Sequence, residues 1–313
     1  MTEAAFDLDL VAIGEPLVEF AQIRDEPPEF RMGFGGDSSN CAIAAARQGA
    51  KVGYFTALGS DRFGDALMHL WQREGIDVSQ VLRRSDAPTG IYFVTYDERG
   101  HHFTYVRDGS AASRLRPEDL PEAWIARARI LHLSGIGQAI SSSACDTLFR
   151  AVEIAKAAGA LVAYDPNYRP RLWPLPRARA IIETTIELCD ILLPGLDDAR
   201  ALTGLEDPEQ ICDRWLERGA KIVALTLGAR GCLVATADRR LRIGGYPVTA
   251  VDATGAGDTF DGAFLAEYLR TRDVARAATY ANAAAALSTT GLGAIAPIPR
   301  REQVERFLAG RAA

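Results

Sequence analysis

The sequence predicts an α/β protein whose central sheet is mostly parallel. Short apolar runs, of the kind that form strands covered on both faces, alternate with segments of helical periodicity along most of the 313 residues. Such alternation is typical of parallel strands joined by right-handed crossovers, which place helices on the faces of the sheet. The C-terminal third departs from the alternation, and its periodicity predicts successive helices.

The predicted elements follow one another along the chain. Buried strands are expected at residues 9–14, 51–58, 129–133, 160–165, 190–193 and 221–227. Helices are expected between them at residues 39–48, 63–74, 142–158, 177–187 and 209–217. Three further helices complete the C-terminal third, at residues 259–270, 273–288 and 301–308.

Two segments interrupt the alternation, because each contains strand-like runs with no helix between them. In the second segment, residues 90–96 and 102–107 flank a turn, which is the pattern of a β-hairpin. We expect the two segments, at about residues 15–34 and 89–108, to pair into a small sheet separate from the main one. Since no linker or repeat divides the chain, residues 1–313 are predicted to form a single domain.

Composition narrows the class of protein. The net charge of −6 and the pI near 5.4 argue against nucleic acid as the main partner. The five cysteines are scattered and form no C-x-x-C pair, so reduced thiols in the cytoplasm are expected. No apolar run approaches ~20 residues, which argues against a membrane-spanning helix. Because the protein is acidic overall, an anionic substrate would have to be recognised by a few local arginines and not by the electrostatic field of the whole protein.

The segment 252–264 contains the most informative motif of the chain. Gly255, Ala256 and Gly257 precede an apolar helix, and Asp258 falls in its first turn. Small residues let backbone N–H groups approach an anion at a helix N-terminus. A carboxylate repels a phosphate but can take a proton from an alcohol that attacks it. The segment therefore predicts a phosphoryl-transfer site, although a tight turn followed by an ordinary helix-start aspartate would look the same.

Two familiar nucleotide-binding motifs do not occur in the sequence. The chain has no G-x-x-x-x-G-K-[ST], which excludes a P-loop NTPase, and no G-x-G-x-x-G after its first strand, which argues against a Rossmann dehydrogenase. Thr226, Gly228 and Gly231 follow a predicted strand, where glycines permit a tight turn beside a nucleotide. Taken alone, this segment is explained better by a plain hairpin turn.

Three further segments offer groups to a polar ligand. Gly36 and Asn40 lie where a glycine-rich stretch opens a helix, although a helix cap by a neighbouring aspartate or serine explains that stretch equally well. Tyr105 and Arg107 share one face of a predicted strand and could clamp a carboxylate, with a surface ion pair as the alternative. Arg169 follows a strand between two prolines, at the edge where parallel sheets bind ligands.

Taken together, residues 252–264 and the stretch from Gly35 to Asn40 resemble the two glycine-containing motifs of the PfkB, or ribokinase-like, carbohydrate kinases. The resemblance runs from about residue 9 to residue 308. Within that family the chain is most similar to 2-keto-3-deoxygluconate kinases, in the segments 14–16, 103–113 and 165–173. The resemblance implies a three-layer α/β/α ribokinase-like fold, with a small β-sheet that forms a lid over the sugar.

The resemblance also implies an activity and a set of roles. The implied reaction is phosphorylation of the terminal hydroxyl of 2-keto-3-deoxy-D-gluconate by ATP with Mg²⁺. Asp258 would be the base and the backbone of residues 255–257 would hold the γ-phosphate. The sugar acid would contact Gly36, Asn40, Tyr105, Arg107 and Arg169. The ATP site would be lined by Asn167, Thr226, Gly228, Gly231 and Asn282. A monovalent cation such as K⁺ near Asp252 is a further expectation from the family, and exposed lid edges predict a homo-oligomer.

The chain departs from the family pattern at one place. The family commonly carries Asn-x-x-Glu after the strand that here ends at Leu193, and this glutamate helps to organise Mg²⁺ through water. This chain has Gly195 and Asp198 at those positions, so no direct protein ligand for the metal is predicted. A kinase of a neutral sugar or nucleoside, similar to fructokinase or ribokinase, is the main alternative. A sugar-binding sensor that has lost catalysis is a second.

Overall fold

The computed structural model describes residues 6–97 and 100–311. Within these residues the strands are β1 Leu8–Ile13, β2 Leu17–Arg24, β3 Glu29–Gly35, β4 Val52–Phe55, β5 Ala57–Gly59, β6 Leu82–Arg84, β7 Ile91–Asp97, β8 Gly100–Val106, β9 Ala128–Ser134, β10 Leu161–Asp165, β11 Ile191–Leu192, β12 Ile222–Thr226, β13 Cys232–Ala235 and β14 Arg240–Ile243. The helices are α1 Asp37–Arg47, α2 Arg62–Arg73, α3 Glu122–Ile125, α4 Gly135–Ala139, α5 Ser142–Ala157, α6 Leu175–Ile186, α7 Leu196–Thr203, α8 Pro208–Glu217, α9 Ala256–Thr271, α10 Val274–Ser288 and α11 Arg301–Ala309.

Eight strands form the central sheet, in the order β14-β13-β12-β11-β10-β9-β1-β4. The strands from β12 to β4 all run parallel to their neighbours, as the strand–helix alternation predicts. The last two strands, β13 and β14, extend the sheet as an antiparallel edge. The sequence analysis did not predict these two strands. β14 alternates exposed and half-buried residues and has no continuous apolar run, and β13 is a buried apolar run of only four residues.

Side chains alternate across the buried strands, so the sheet has a hydrophobic core on each face. In β1, Val11 and Ile13 pack into the core that includes side chains of α5 to α8. Leu10 and Ala12 point to the opposite face and pack with side chains of α1, α2, α9, α10 and α11. The protein therefore has the three-layer α/β/α architecture implied by the resemblance, and that prediction is confirmed.

A second sheet of four strands stands apart from the central one, in the order β3-β2-β7-β8. It pairs β2 with β7 in parallel and has antiparallel hairpins at both sides. Leu17, Tyr92 and Val94 form a small core of their own on one of its faces. Glycine at position 35 lets the end of β3 approach Tyr92 closely, because a Cβ there would lie 2.6 Å from the Tyr92 hydroxyl oxygen. The small separate sheet was predicted, and it lies within the two segments where strands without helices were expected.

The predicted strand at residues 51–58 is wrong in one respect, because it is two strands in two sheets. β1 ends at Ile13, whose partner in β4 is Phe55, so the chain beyond Phe55 has no neighbour in the central sheet. Thr56 O instead accepts a hydrogen bond from Leu82 N at 3.0 Å, and β5 pairs with β6 in a separate two-stranded sheet. Within residues 6–97 and 100–311, no helix is long and apolar enough to cross a membrane.

Candidate active site

A cavity of about 960 Å³ lies where the carboxyl ends of the parallel strands meet the small sheet. Asp165 at the end of β10 and Thr226 at the end of β12 line it from the central sheet. Tyr92 and Phe103 line it from the small sheet. The cavity is thus at the edge where parallel α/β sheets bind ligands, and its volume suits a small polar substrate together with part of a second one.

The N-terminus of α9 opens onto this cavity. Gly255 precedes the helix with φ 74°, and a Cβ there would lie 2.9 Å from Ala294 O, so both conformation and space favour glycine. The N–H groups of Gly257 and Asp258 lie in the first turn, where an α-helix supplies no acceptor. Because a helix N-terminus also attracts negative charge, the turn can hold an anion such as a phosphate.

The structure distinguishes among the three predicted anion-binding residues. Gly255 and Gly257 line the cavity, as Asp258 does. Ala256 does not line it, and its N–H donates a hydrogen bond to Ala253 O at 3.2 Å. The donors available to an anion in this turn are therefore the backbone N–H groups of Gly257 and Asp258.

Asp258 has the surroundings of a general base. Its Oδ2 accepts a hydrogen bond from Asn40 Nδ2 at 2.7 Å. Burial, followed by the nearby charge of Asp37, raises the pKa of Asp258 to about 7, while the Asn40 hydrogen bond and the Arg169 charge act in the opposite direction. A carboxylate with a pKa near neutrality can accept a proton from an alcohol more readily than an ordinary aspartate. The Oδ1 atom of Asn40 is buried without a hydrogen-bond partner in the described part of the chain.

Further carboxylates surround the base. Burial raises the pKa values of Asp165 and Asp261 well above the ordinary range, and repulsion from Asp258 and Asp37 adds to the effect. Burial also raises the pKa of Asp198, against the charge of Arg169. Within the described ranges, no group of three or more such side chains has the arrangement of a direct metal site. The concentrated negative charge fits a hydrated divalent cation, which would stabilise the ionised carboxylates.

Arg107 lines the cavity, but it also belongs to a buried network. Its Nη2 donates to Glu15 Oε2 in a buried ion pair, and Ser110 Oγ donates to Glu15 Oε1 at 2.9 Å. The guanidinium carbon lies 5.4 Å from the centre of the Tyr105 ring. Its Nε is buried without a partner among the described residues. Arg107 is therefore held in place by Glu15, which also offsets its charge, and its buried Nε has no acceptor among the described residues.

Arg169 and Asn167 reach the cavity from the loop after β10. Arg169 Nη1 donates to Tyr168 O at 3.1 Å and lies 3.7 Å from Asp198 Oδ2, and the side chain is half exposed. Asn167 has a left-handed backbone, φ 33°, and its Nδ2 donates to Asp37 Oδ2 at 3.1 Å. These contacts place Asn167 beside the acidic cluster, where it connects the loop after β10 to the start of α1.

The residues predicted for ATP divide into two groups. Asn167 and Thr226 line the cavity, whereas Gly228, Gly231 and Asn282 do not. A Cβ at Gly231 would lie 2.1 Å from Ile243 O, and Asn282 Nδ2 donates to the same carbonyl at 3.3 Å. Gly228, Gly231 and Asn282 therefore form a separate cluster beyond the end of β12. Their assignment to the nucleotide stays a prediction.

Glu15 and Arg171 belong to the site but were given no role from the sequence. Glu15 and Arg107 are 92 positions apart, so no local pattern connects them. Arg171 also lines the cavity, and its Nη1 donates to Phe103 O at 3.2 Å. The one available signal for Arg171 was its position two residues after Arg169, on the loop that follows a buried strand.

The sheet, the helix N-terminus and the buried aspartate define a class of protein, the carbohydrate kinases of ribokinase-like fold. The model of the pfkB family carbohydrate kinases matches residues 7–301, and the chain belongs to this family. It is 33% identical to 2-dehydro-3-deoxygluconokinase of Bacillus subtilis, over 97% of this chain and 96% of that protein. It is also 33% identical to fructokinase-1 of Zea mays, over 96% and 97% of the two chains.

A solved structure of a sugar kinase has a similar fold. Fructokinase from Vibrio cholerae, in a form with bound fructose, ADP and calcium ion, superimposes with a TM-score of 0.86 at 27% identity. The match covers 96% of this chain and 99% of the other. The chain is therefore a carbohydrate kinase, a phosphotransferase whose acceptor is an alcohol group.

Proposed function

We propose that this kinase phosphorylates the terminal hydroxyl of 2-keto-3-deoxy-D-gluconate, with ATP as donor, giving 2-keto-3-deoxy-6-phosphogluconate and ADP. The observation that carries the proposal is Asp258, a carboxylate with a pKa of about 7 in the first turn of α9, facing a cavity that three arginines also line. The Bacillus subtilis relative carries the name of this activity, since 2-dehydro-3-deoxygluconate is the same sugar acid.

The reaction needs a base on the alcohol and donors for the transferred group. Asp258 accepts the hydroxyl proton as the new O–P bond forms and the bond from the γ-phosphorus to the ADP oxygen breaks. The N–H groups of Gly257 and Asp258 hold the oxygens of the phosphoryl group in this step. A bound Mg²⁺ would offset the charge on the phosphates, and the carboxylates of Asp165, Asp198 and Asp261 supply the negative surroundings that would hold it through water.

The sugar acid is assigned to the side of the cavity next to the small sheet. The guanidinium groups of Arg107 and Arg169, which both line the cavity, would donate hydrogen bonds to its carboxylate. Gly36, Tyr105 and Asn40 lie around the same space and would contact its hydroxyls. The unpartnered Asn40 Oδ1 supports this, because a buried acceptor next to the base needs a donor and a sugar hydroxyl supplies one.

The remaining parts of the proposal concern ATP, K⁺ and assembly. ATP enters beside Asn167 and Thr226 and extends toward Gly228, Gly231 and Asn282. A monovalent cation is proposed near Asp252, although this carboxylate also accepts hydrogen bonds from Thr254 N at 2.9 Å and from Gly293 N at 2.9 Å. A homo-oligomer through the small sheet is proposed because both edge strands, β3 and β8, carry exposed apolar side chains.

A second candidate is phosphorylation of a neutral sugar, as in fructokinase. The charge balance of the cavity favours it, because Glu15 and Asp198 offset the charges of Arg107 and Arg169. The fructokinase relative is as similar to this chain as the sugar-acid kinase is. A sensor without catalysis is disfavoured, because the base and the phosphate-binding turn would then have no use.

A substrate panel tests the proposal. ADP release is measured with Mg²⁺–ATP and 2-keto-3-deoxygluconate, its galactonate-derived epimer, fructose and ribose. The proposal expects the highest kcat/KM with a 2-keto-3-deoxy sugar acid. A higher kcat/KM with fructose or ribose would favour the neutral-sugar kinase, and binding of a sugar without any ADP release would favour the sensor.

A further inference from the structure

Arg171 is placed to contact both the bound sugar and the small sheet. It belongs to the loop between β10 and α6, lines the cavity and is exposed. Its Nη1 donates to Phe103 O at 3.2 Å, and Phe103 belongs to the edge strand β8. One hydrogen bond therefore holds the guanidinium at the boundary between the central sheet and the small sheet, and its other N–H groups remain available to a ligand.

The three arginines that line the cavity differ in how far their charges are compensated. Glu15 pairs with Arg107 in a buried contact, and Asp198 lies 3.7 Å from Arg169. Within residues 6–97 and 100–311, no carboxylate lies within ion-pair distance of Arg171, whose hydrogen bond goes to a neutral carbonyl. In a cavity with many carboxylates, an anionic substrate is attracted most strongly by the cation whose charge is least offset.

We propose that Arg171 is a specificity-determining residue that binds the carboxylate of the sugar acid and so favours acids over neutral sugars. The inference rests on the proposed function, because a neutral substrate has no group for this charge. A planar guanidinium matches a carboxylate with two parallel N–H···O bonds, and the geometry at Phe103 O leaves donors for them. Arg107 and Arg169, whose charges Glu15 and Asp198 offset, then orient the same carboxylate by hydrogen bonds, and Arg171 adds the charge that has no nearby carboxylate.

The hydrogen bond to Phe103 O suggests a second role for Arg171, which the experiment must distinguish from binding of the substrate carboxylate. Arg171 could serve only to hold β8 against the cavity, without contact to the substrate. Gln at position 171 keeps an N–H donor for the carbonyl but removes the charge, whereas Lys keeps both a donor and the charge. Because both variants keep a donor for Phe103 O and only Arg171→Gln loses the charge, a difference between the two variants reports the charge and not the hydrogen bond.

The experiment measures KM for 2-keto-3-deoxygluconate and for its uncharged C1 amide, at saturating Mg²⁺–ATP. Arg171→Gln is expected to raise KM for the acid about tenfold, equivalent to about 1.4 kcal/mol, and KM for the amide less than about twofold. Arg171→Lys is expected to retain most of the preference for the acid. The matched control is Arg177→Gln, an exposed arginine that donates to Ser142 Oγ at 3.2 Å and does not line the cavity.

Two results would overturn the inference. If Arg171→Gln left the ratio of the two KM values unchanged, or if the Gln and Lys variants raised both KM values alike, Arg171 would not bind the carboxylate of the substrate. Failure of the proposed function is seen separately, in the wild type. A wild-type enzyme that turned over neutral sugars but no sugar acid would contradict both the function and this role of Arg171.

Discussion

The hydrogen bond between Asn40 and Asp258 makes a quantitative prediction for the Asn40→Ala variant. The pKa of Asp258 is about 7, and the Asn40 hydrogen bond lowers it from a still higher value. The carboxylate must be ionised to accept a proton, so activity is lost as the pH falls through this pKa. Without the Nδ2 donor the ionised form is less stable, and the acidic limb of the profile is expected to move to higher pH.

The size of the shift follows from the contact. The Nδ2–Oδ2 distance of 2.7 Å is that of a good hydrogen bond to a charged acceptor, which contributes about 1.5–3 kcal/mol. Because one pKa unit corresponds to about 1.4 kcal/mol, the limb should move by about one to two pH units. Near pH 7, where about half of the wild type is ionised, about a tenth of the variant or less would be ionised, which is about a fifth or less of the wild-type fraction.

The assay is the pH profile of kcat/KM for the sugar at saturating Mg²⁺–ATP. The test compares the pH profile of Asn40→Ala with that of the wild type, because titration of the nucleotide contributes equally to both profiles. Gln80→Ala is the control, since Gln80 is an exposed amide that donates to Ser79 Oγ at 3.4 Å, away from the cavity. If Asn40→Ala raised KM but left the limb in place, Asn40 would bind sugar without tuning Asp258. A profile with no acidic limb in either enzyme would remove Asp258 from the role of base.

Three further predictions follow from the site and its support. Asp258→Asn should lower kcat by several orders of magnitude while ATP binding, measured by calorimetry, persists; near-normal turnover would contradict proton transfer to this carboxylate. Arg107→Ala should raise KM for a sugar acid far more than for fructose, and it should also lower Tm, because it leaves a buried carboxylate unpaired. Equal KM effects would exclude a carboxylate clamp. Gly262→Ala should cost about 1–3 kcal/mol of unfolding free energy in thermal or urea denaturation, because its Cβ would lie 2.3 Å from Cys41 O. Gly310→Ala is the control, since its Cβ meets ordinary van der Waals contact only, and similar losses in both would refute the packing argument.

Local sequence patterns predicted the parts of the structure that depend on neighbouring residues. Continuous apolar runs predicted the parallel strands, because burial on both faces demands them, and the glycines before α9 predicted its cavity-facing start. The division of residues 51–58 between two sheets was not predicted, because it depends on where β1 ends rather than on residues 51–58 themselves. The pairing of Glu15 with Arg107 was missed for a similar reason, since only the folded chain brings the two together.

The assignment of arginines to the sugar shows the same limit in the site. Sequence could identify Arg107 and Arg169 as cations near a strand end, but the charge available to a ligand depends on Glu15 and Asp198. Arg171 has no such partner in the described residues, yet its sequence environment gives no sign of that difference. The extent to which a carboxylate offsets each arginine depends on the tertiary structure. The sequence therefore identified cations near the site but not which of them has the most charge available to a ligand.

The small sheet has a consequence for how this enzyme could change its substrate. Its strands β2, β3, β7 and β8 precede β9 in the chain, whereas Asp258 and the turn proposed to bind phosphate come from the C-terminal third. The sugar contacts proposed for the small sheet are thus encoded apart from the C-terminal segment, and a chimera could exchange the small sheet while Arg169, Arg171 and Asp258 stay in place. The exchange would have to begin before β2, because Glu15 is the partner that holds Arg107 and lies outside both strands. A chimera joined at residue 17 would combine the strands of another protein with Glu15 of this one. A chimera joined before residue 15 would bring both partners of the ion pair from the same protein.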